Sequence, residues 1–433
     1  MPGSGKTLVG LNAVHDERVL NAAAQHHAVY LSGNTPLVEV LQSALARDAS
    51  AQKGTSIRTE TQKVRASIQH IIRFLRQYLE TDGCPAPVDG LIVFDEAQRA
   101  WDAEYGKKKF GRPSSEPRLI IEIMSRRKDW ATIVALVGGG QEIHKGEFGL
   151  SEWGKALSEW HSDTSRTPQW EVIASPHVLG TSEITSGGTL WNSDERPETP
   201  VLDDAALHLD VSVRSHRNEV AAAWVNAVLS GDSVGARELA KHISPFPIYW
   251  TRDLDHAKSW ARSVAFGDER VGLLCTSRAK RLRGYGLGAT LTVADVDAIV
   301  HWHVAPTDDV RSSNALEVTG TEYAVQGLEL DHCVVCWDGD MHWSTASRDW
   351  RCQTFSGTAW KATKDFDDKR FTANAYRVLL TRARNSMVIW LPPGDVHDRT
   401  RPASWMNATA DYLASCGVRN LSSWHGLSTV AVA

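Results

Sequence analysis

The chain opens Met1-Pro2-Gly3-Ser4-Gly5-Lys6-Thr7, a run whose residue types suit one task, the holding of phosphate. Small residues let backbone N–H groups close round phosphate oxygens, a lysine reaches the outer phosphates, and a threonine hydroxyl binds Mg²⁺. The run LVGLNAVH just after it is apolar at helical spacing, and the positive end of such a helix favours an anion. The match is to the back portion of GxxxxGK[ST]; the first glycine of that pattern is missing. Read alone, the segment is also compatible with a flexible Gly/Ser-rich start.

A phosphate loop needs a partner. An acid at the end of a buried strand must hold Mg²⁺, and a second acid must polarise the attacking water. Asp95-Glu96, directly after the apolar LIVF, meets that requirement. Ordinary capping acids for the next helix are the competing explanation, and the ordered pair of matches counts against it. Gln141, just beyond the glycines of LVGGG, is placed to touch a γ-phosphate, or is a surface amide on a glycine turn. In the second half, VSVRSHR supplies Arg214 and Arg217, and NAYRVLLTRARNSMVIW supplies Arg377, Arg382 and Arg384. Arginine forks bind phosphate oxygens in pairs, and aimed at a phosphoryl-transfer site they are worth about 10³–10⁵ in rate. Any one of them alone reads equally as a solvated helix face.

Positioning these residues calls for alternating strands and helices. HAVYLS (27–32) reads as a strand, Pro36 to Asp48 as a helix, Ala49 to Thr61 as a polar connection, and KVRASIQHIIRFLRQYL as one amphipathic helix. LIVFDEAQ and ATIVALVGGGQ (131–141) read as buried strands. Strands separated by helices imply a parallel sheet. The stretch Ile184 to Asp204, rich in Ser, Gly, Thr and Pro, is the expected linker, dividing the chain into domains 1–204 and 205–433. Beyond it, LHLDVSV, FPIYW, VGLLCTS, HCVVCW and SMVIWLP read as strands, and NEVAAAWVNAVLSGD as a helix closed by Gly231. Met341 to Phe371 reads as a long surface insertion.

Bulk composition narrows the class. With 433 residues, 42% hydrophobic and 23% charged, the chain suits two soluble globular domains. No segment reaches the ~20 apolar residues of a membrane span, and the N-terminus lacks the basic-then-apolar pattern of a signal peptide, so a cytoplasmic location is expected. A net charge of −5 disfavours a protein held on duplex DNA by bulk charge, but not one gripping a single strand in a local groove. Cys333 and Cys336 lie three apart on an expected strand, hence on opposite faces, and no second CxxC completes a zinc set. His301 and His303 in IVHWHV share a face if that run is a strand, with no third metal ligand in view. Most of the 17 tryptophans sit in apolar patterns and read as core.

Taken in order, PGSGKT, VYLSGNTPLV, VFDEAQRAW, LVGGGQEIHKGE, VRSHR, TEYAVQGLELD and YRVLLTRAR resemble the superfamily 1 helicases of the UvrD/Rep type, and most closely the Schlafen-group-3-like DNA/RNA helicase domain family, from Pro2 to about Pro392. The resemblance implies an α/β fold of two RecA-like lobes with mainly parallel sheets, the first lacking its N-terminal part, and hydrolysis of ATP with Mg²⁺ on single-stranded DNA or RNA. Gly3, Ser4, Gly5, Lys6 and Thr7 would hold the nucleotide, with Thr7 and Asp95 on Mg²⁺. Glu96 would be the general base, Gln141 the γ-phosphate sensor, and Arg214 and Arg382 the fingers. Glu329 would sit near the nucleotide. Ser32, Asn34, Thr35, Pro36 and Thr321 would face the strand.

Two departures stand out. The adenine-reading motif and the strand feeding the loop are absent, so an upstream domain or partner is expected, together with a gap beside the Asp95 strand. Gln326 also stands where UvrD-type motors carry lysine. The basic cluster Arg278, Lys280, Arg281 and Arg283, expected to open a helix, suits phosphate contact. The sequence leaves two rivals: a nucleic-acid-binding nucleotide switch without unwinding, and an inactive truncated fragment.

Overall fold

The computed structural model describes residues 5–16, 27–81, 83–112, 114–138, 150–180, 188–191, 201–209, 216–243, 246–288, 290–292 and 294–424. The chain divides into two compact units, Met1–Val213 and Arg214–Ala433. The architecture is mixed α/β with mainly parallel sheets.

The first unit is built on β1 (His27–Ser32), β2 (Ile68–His70), β3 (Asp89–Asp95) and β4 (Thr132–Ala135), all parallel, in the order β2-β1-β3-β4. Alternate side chains of β1 and β3 feed two cores. Val29, Leu31, Ile92 and Phe94 face helices Ile71–Leu79 and Glu116–Met124. Ala28, Tyr30, Leu91 and Val93 face Val14 of helix Lys6–His15 and Val38 of helix Thr35–Lys53. Strands covered on both faces lose the polar alternation of a half-exposed sheet, which is why LIVF is continuously apolar. Helix Lys6–His15 comes so close that a Cβ on Gly10 would lie 2.8 Å from Leu136 Cδ1 and 3.1 Å from Tyr30 Cε2.

Several expectations need correction here. The helix read across 63–79 is broken. Helix Ile57–Ser67 ends at β2, which pairs in register with Tyr30–Ser32, and His70 then caps helix Ile71–Leu79 through its ring nitrogen. Strand pairing outweighs helical periodicity at these three residues. The connection expected at 49–61 is mostly helical, because helix Thr35–Lys53 runs on to an αL Gly54. β4 is short and half-exposed rather than buried. No gap lies beside β3, which is hydrogen-bonded to β1 on one edge and β4 on the other. In the expected linker, Leu190 and Trp191 belong to the core, and β6 (Val201–Asp203) pairs with β5 (Val172–Ala174). Of LHLDVSV (207–213), the described part, 207–209, only closes the 3₁₀ turn Ala205–Leu207 and forms no strand.

The second unit carries a six-stranded parallel sheet in the order β15-β7-β14-β10-β8-β9. Its strands are β7 (Ile248–Thr251), β8 (Val271–Cys275), β9 (Thr319–Thr321), β10 (Leu330–Cys336), β14 (Ala383–Trp390) and β15 (Arg419–Asn420). Leu273, Cys275, Val334, Cys336, Val388 and Trp390 pack on helix Leu254–Val264. IVHWHV is not a strand but part of helix Val296–Val304, so His301 and His303 do not share a face. The deciding contact is tertiary. Trp302 is buried over β8 and β9 where Cβ atoms on Gly272 or Gly320 would come within 2.7 Å and 3.1 Å of its ring.

Residues 341–371 are no loose insertion either. They form an antiparallel meander of β11 (Met341–Ser344), β12 (Asp349–Ser356) and β13 (Ala359–Ala362), followed by helix Phe366–Leu380. Stacking of Trp343 on Tyr412 at 3.7 Å and of Trp337 on Trp350 at 5.4 Å ties the meander to the unit. The basic cluster after β8 is turn and 3₁₀ helix (Leu282–Tyr285) rather than an α-helix.

Candidate functional site

Asp95 ends β3 with its side chain fully buried. Strand alternation puts it on the same face as Val93 and Tyr30, the face covered by helix Lys6–His15. Gly5, in the left-handed region at φ 78°, turns the backbone into that helix, and its carbonyl accepts the Val9 N–H at 2.8 Å. Lys6 and Thr7 therefore arrive at a helix N-terminus directly above the strand end. The Thr7 hydroxyl donates to Asp95 Oδ2 at 2.8 Å, and the Tyr30 hydroxyl donates to the same oxygen. Asp95 Oδ1 accepts the N–H of Glu96 at 3.0 Å. The Lys6 side chain ends against the backbone beyond β4: a Cβ on Gly138 would lie 3.1 Å from its Nζ.

Glu96 adopts φ 55°, a conformation sparsely used by non-glycine residues and found mostly where surroundings enforce it. Gln98 Nε2 donates to Glu96 Oε2 at 2.5 Å, while Gln98 Oε1 accepts the Gly138 N–H at 2.9 Å. One amide thus ties the second acid to the segment leaving β4. Burial raises the Glu96 carboxyl above the usual carboxylate range and the Asp95 charge adds to this, while Lys6, Arg99 and the Gln98 hydrogen bond oppose it. A carboxylate raised toward neutrality is suited to taking a proton. Burial, then Asp95, also push the Tyr30 phenol up.

The first unit brings Gly5, Lys6, Thr7, Asp95 and Glu96 together. Gly3, Ser4, Gln141 and Arg214 lie outside the described residues. Ser32, Asn34 and Pro36 are buried rather than facing outward. Ser32 Oγ accepts the Asn34 N–H at 3.2 Å, and Asn34 Oδ1 caps helix Thr35–Lys53 at Leu37 N. These side chains build the turn, which leaves Gly33 exposed and Thr35 half-buried.

In the second unit, Thr321 is likewise buried, its hydroxyl donating to the Leu291 carbonyl at 3.0 Å. Arg278 donates to Thr372 Oγ1 at 2.9 Å. Glu329 pairs with the exposed Arg384 at 2.8 Å. Arg382 is 3% exposed, and its guanidinium donates to the carbonyls of Val378, Val325 and Leu328. As it stands, Arg382 clamps the turn at Gly327 instead of projecting as a finger.

Sequence reasoning missed Tyr30 and Gln98. Tyr30 left a readable trace, a lone phenol in an apolar strand two residues before the motif turn. Gln98 left none, because its role depends on a partner 40 residues away.

In this parallel α/β unit a hydroxyl, a lysine and two acids converge at a helix N-terminus. The chain belongs to the Schlafen group 3, DNA/RNA helicase domain family, whose model matches residues 1–393. No curated protein matches the chain.

Proposed function

We propose that this chain is an ATP-hydrolysing motor of the superfamily 1 helicase type, acting on single-stranded DNA or RNA through two RecA-like lobes. The observation that carries the reading is the Thr7–Asp95 contact at the head of helix Lys6–His15, with Glu96 and Lys6 beside it. A threonine hydroxyl and a carboxylate are hard oxygen donors, which fits Mg²⁺. Thr7 and Asp95 would hold that ion, whose chemistry when bound is to neutralise charge on the phosphate oxygens. Lys6 would bind the outer phosphates. Glu96, held by Gln98, would accept a proton from the attacking water. Gln141 and Arg214 are proposed as further contacts to the γ-phosphate. Arg382 could join them only by releasing the Val325 and Leu328 carbonyls. The exposed backbone at Gly33 and the cluster around Arg278 are proposed to meet the nucleic-acid strand.

The test is steady-state ATPase activity with a panel of single and double strands, beside a strand-displacement assay. Turnover stimulated by single strands is expected, and Lys6→Ala should weaken nucleotide binding by about tenfold or more, as loss of a charge-assisted hydrogen bond would. Turnover without strand displacement would make the chain a nucleotide switch. Absence of both binding and turnover would refute the reading.

A further inference from the structure

Tyr30 is wholly buried in β1, and its hydroxyl donates to the same Asp95 oxygen that receives Thr7. The carboxylate is thereby held from three directions: by the helix, by the neighbouring strand and by its own following N–H. Packing leaves the phenol little freedom, since there is no room even for a Cβ on Gly10, which would lie 3.1 Å from its ring.

Satisfaction of a buried acid is the plain explanation of such contacts, and the second unit supplies an example. Asp340 receives the Thr276 hydroxyl at 2.6 Å on one oxygen and the Tyr376 hydroxyl at 2.7 Å on the other. The first unit differs in the placement of the donors. Both hydroxyls converge on one oxygen of Asp95, and one of them belongs to the residue after Lys6. A threonine hydroxyl that ligates a cation does so through a lone pair, and its proton stays available to the carboxylate. Asp95 Oδ2 keeps Tyr30 as its other donor, from the neighbouring strand.

We propose that Tyr30 is a positioning residue whose hydroxyl holds Asp95 in the orientation that receives the nucleotide's Mg²⁺. The inference rests on the nucleotide reading of this site. The phenol spares the cation the work of orienting the carboxylate, so its loss falls on metal-dependent binding and not on the metal-free contacts made by Lys6 and the backbone.

The experiment titrates a methylanthraniloyl-labelled ATP analogue against the full chain, in EDTA and over a series of Mg²⁺ concentrations. It compares the parent with Tyr30→Phe, Tyr376→Phe, Asp95→Asn and the Tyr30→Phe/Asp95→Asn double variant. Tyr30→Phe should raise the Mg²⁺ concentration for half-maximal binding about tenfold or more, the worth of a hydrogen bond to a charged group, and leave affinity in EDTA within about twofold. Tyr376→Phe should not shift the Mg²⁺ dependence. In the Asp95→Asn background Tyr30→Phe should add nothing, as coupled partners require. The ratio of affinities with and without Mg²⁺ is internal to each variant, so a general loss of stability cancels. A Mg²⁺-dependent parent whose Tyr30→Phe form behaves like the parent, or like Tyr376→Phe, overturns the proposal. Full additivity with Asp95→Asn overturns it too. A parent that binds no nucleotide refutes the site reading itself.

Discussion

Strand β3 of the first unit and strand β10 of the second are apolar, almost wholly buried and flanked on both edges by parallel strands. Each runs out into two acids, Asp95 and Glu96 in one case, Asp338 and Asp340 in the other. Each places a threonine and a tyrosine hydroxyl on one carboxylate. The backbone on the C-terminal side of the threonine separates them. Thr7 lies in the first turn of the ten-residue helix Lys6–His15, behind a left-handed Gly5, where the first backbone N–H groups have no partner within the helix. Thr276 leads into turns, where Arg278 donates to Thr372 and Arg281 pairs with Asp398. Both Asp338 oxygens accept backbone N–H groups, from Arg281 and Gly339. Hydroxyls on a buried acid are thus a common structural solution. The helix N-terminus beside Asp95 is what supports the proposal of a nucleotide site in the first unit.

The comparison can be broken most decisively at the second acid. Glu96→Gln removes a proton acceptor and keeps the Gln98 and Asp95 framework, so single-strand-stimulated turnover should fall by about 10²–10⁴ while nucleotide binding persists. Asp340→Asn, assayed well below its melting temperature, should retain turnover. Equal losses in the two variants would erase the distinction between the units.

A smaller effect is expected from Gly10→Ala. The added methyl meets Leu136, Val93 and Tyr30 at 2.8–3.1 Å. Overpacking of this kind costs about 1–3 kcal/mol, read as a lower melting temperature, and it should lift helix Lys6–His15 off β3 and weaken nucleotide binding as well. Unchanged melting would show that the helix does not pack as described.

A last effect, outside the candidate site, is a pH slope in the second unit. Burial, then the Asp340 charge, raise Asp338 from 3.8 to about 7. A group that binds its proton more tightly when folded stabilises most fully below its unfolded value. That contribution declines as pH rises through about 4 to 7. Denaturation midpoints across this range should fall with pH, and Asp338→Asn should flatten the slope. A slope that survives the substitution assigns it to other groups.

The legible part of this molecule was chemical and local. Gly5-Lys6-Thr7 before a helical run, LIVF before Asp95-Glu96, and the recurrence of apolar strands between helices could be read directly. Each is written in a few adjacent residues, because a helix start behind a left-handed glycine and a strand buried on both faces restrict which residue types can stand there. Tertiary structure decided what depends on partners far apart in the chain. Residues 68–70 became a strand because β1 offered an edge, against their own helical period. IVHWHV became helical because two glycines made room for Trp302 over β8 and β9. Ser32 and Asn34 turned inward to cap a helix. Arg382 was drawn to three backbone carbonyls. Tyr30 met Asp95 because parallel register placed two strands side by side, with alternation sending both side chains to one face. Periodicity specifies what a segment can be, and competition among distant segments for the same buried surface and hydrogen bonds settles what it becomes.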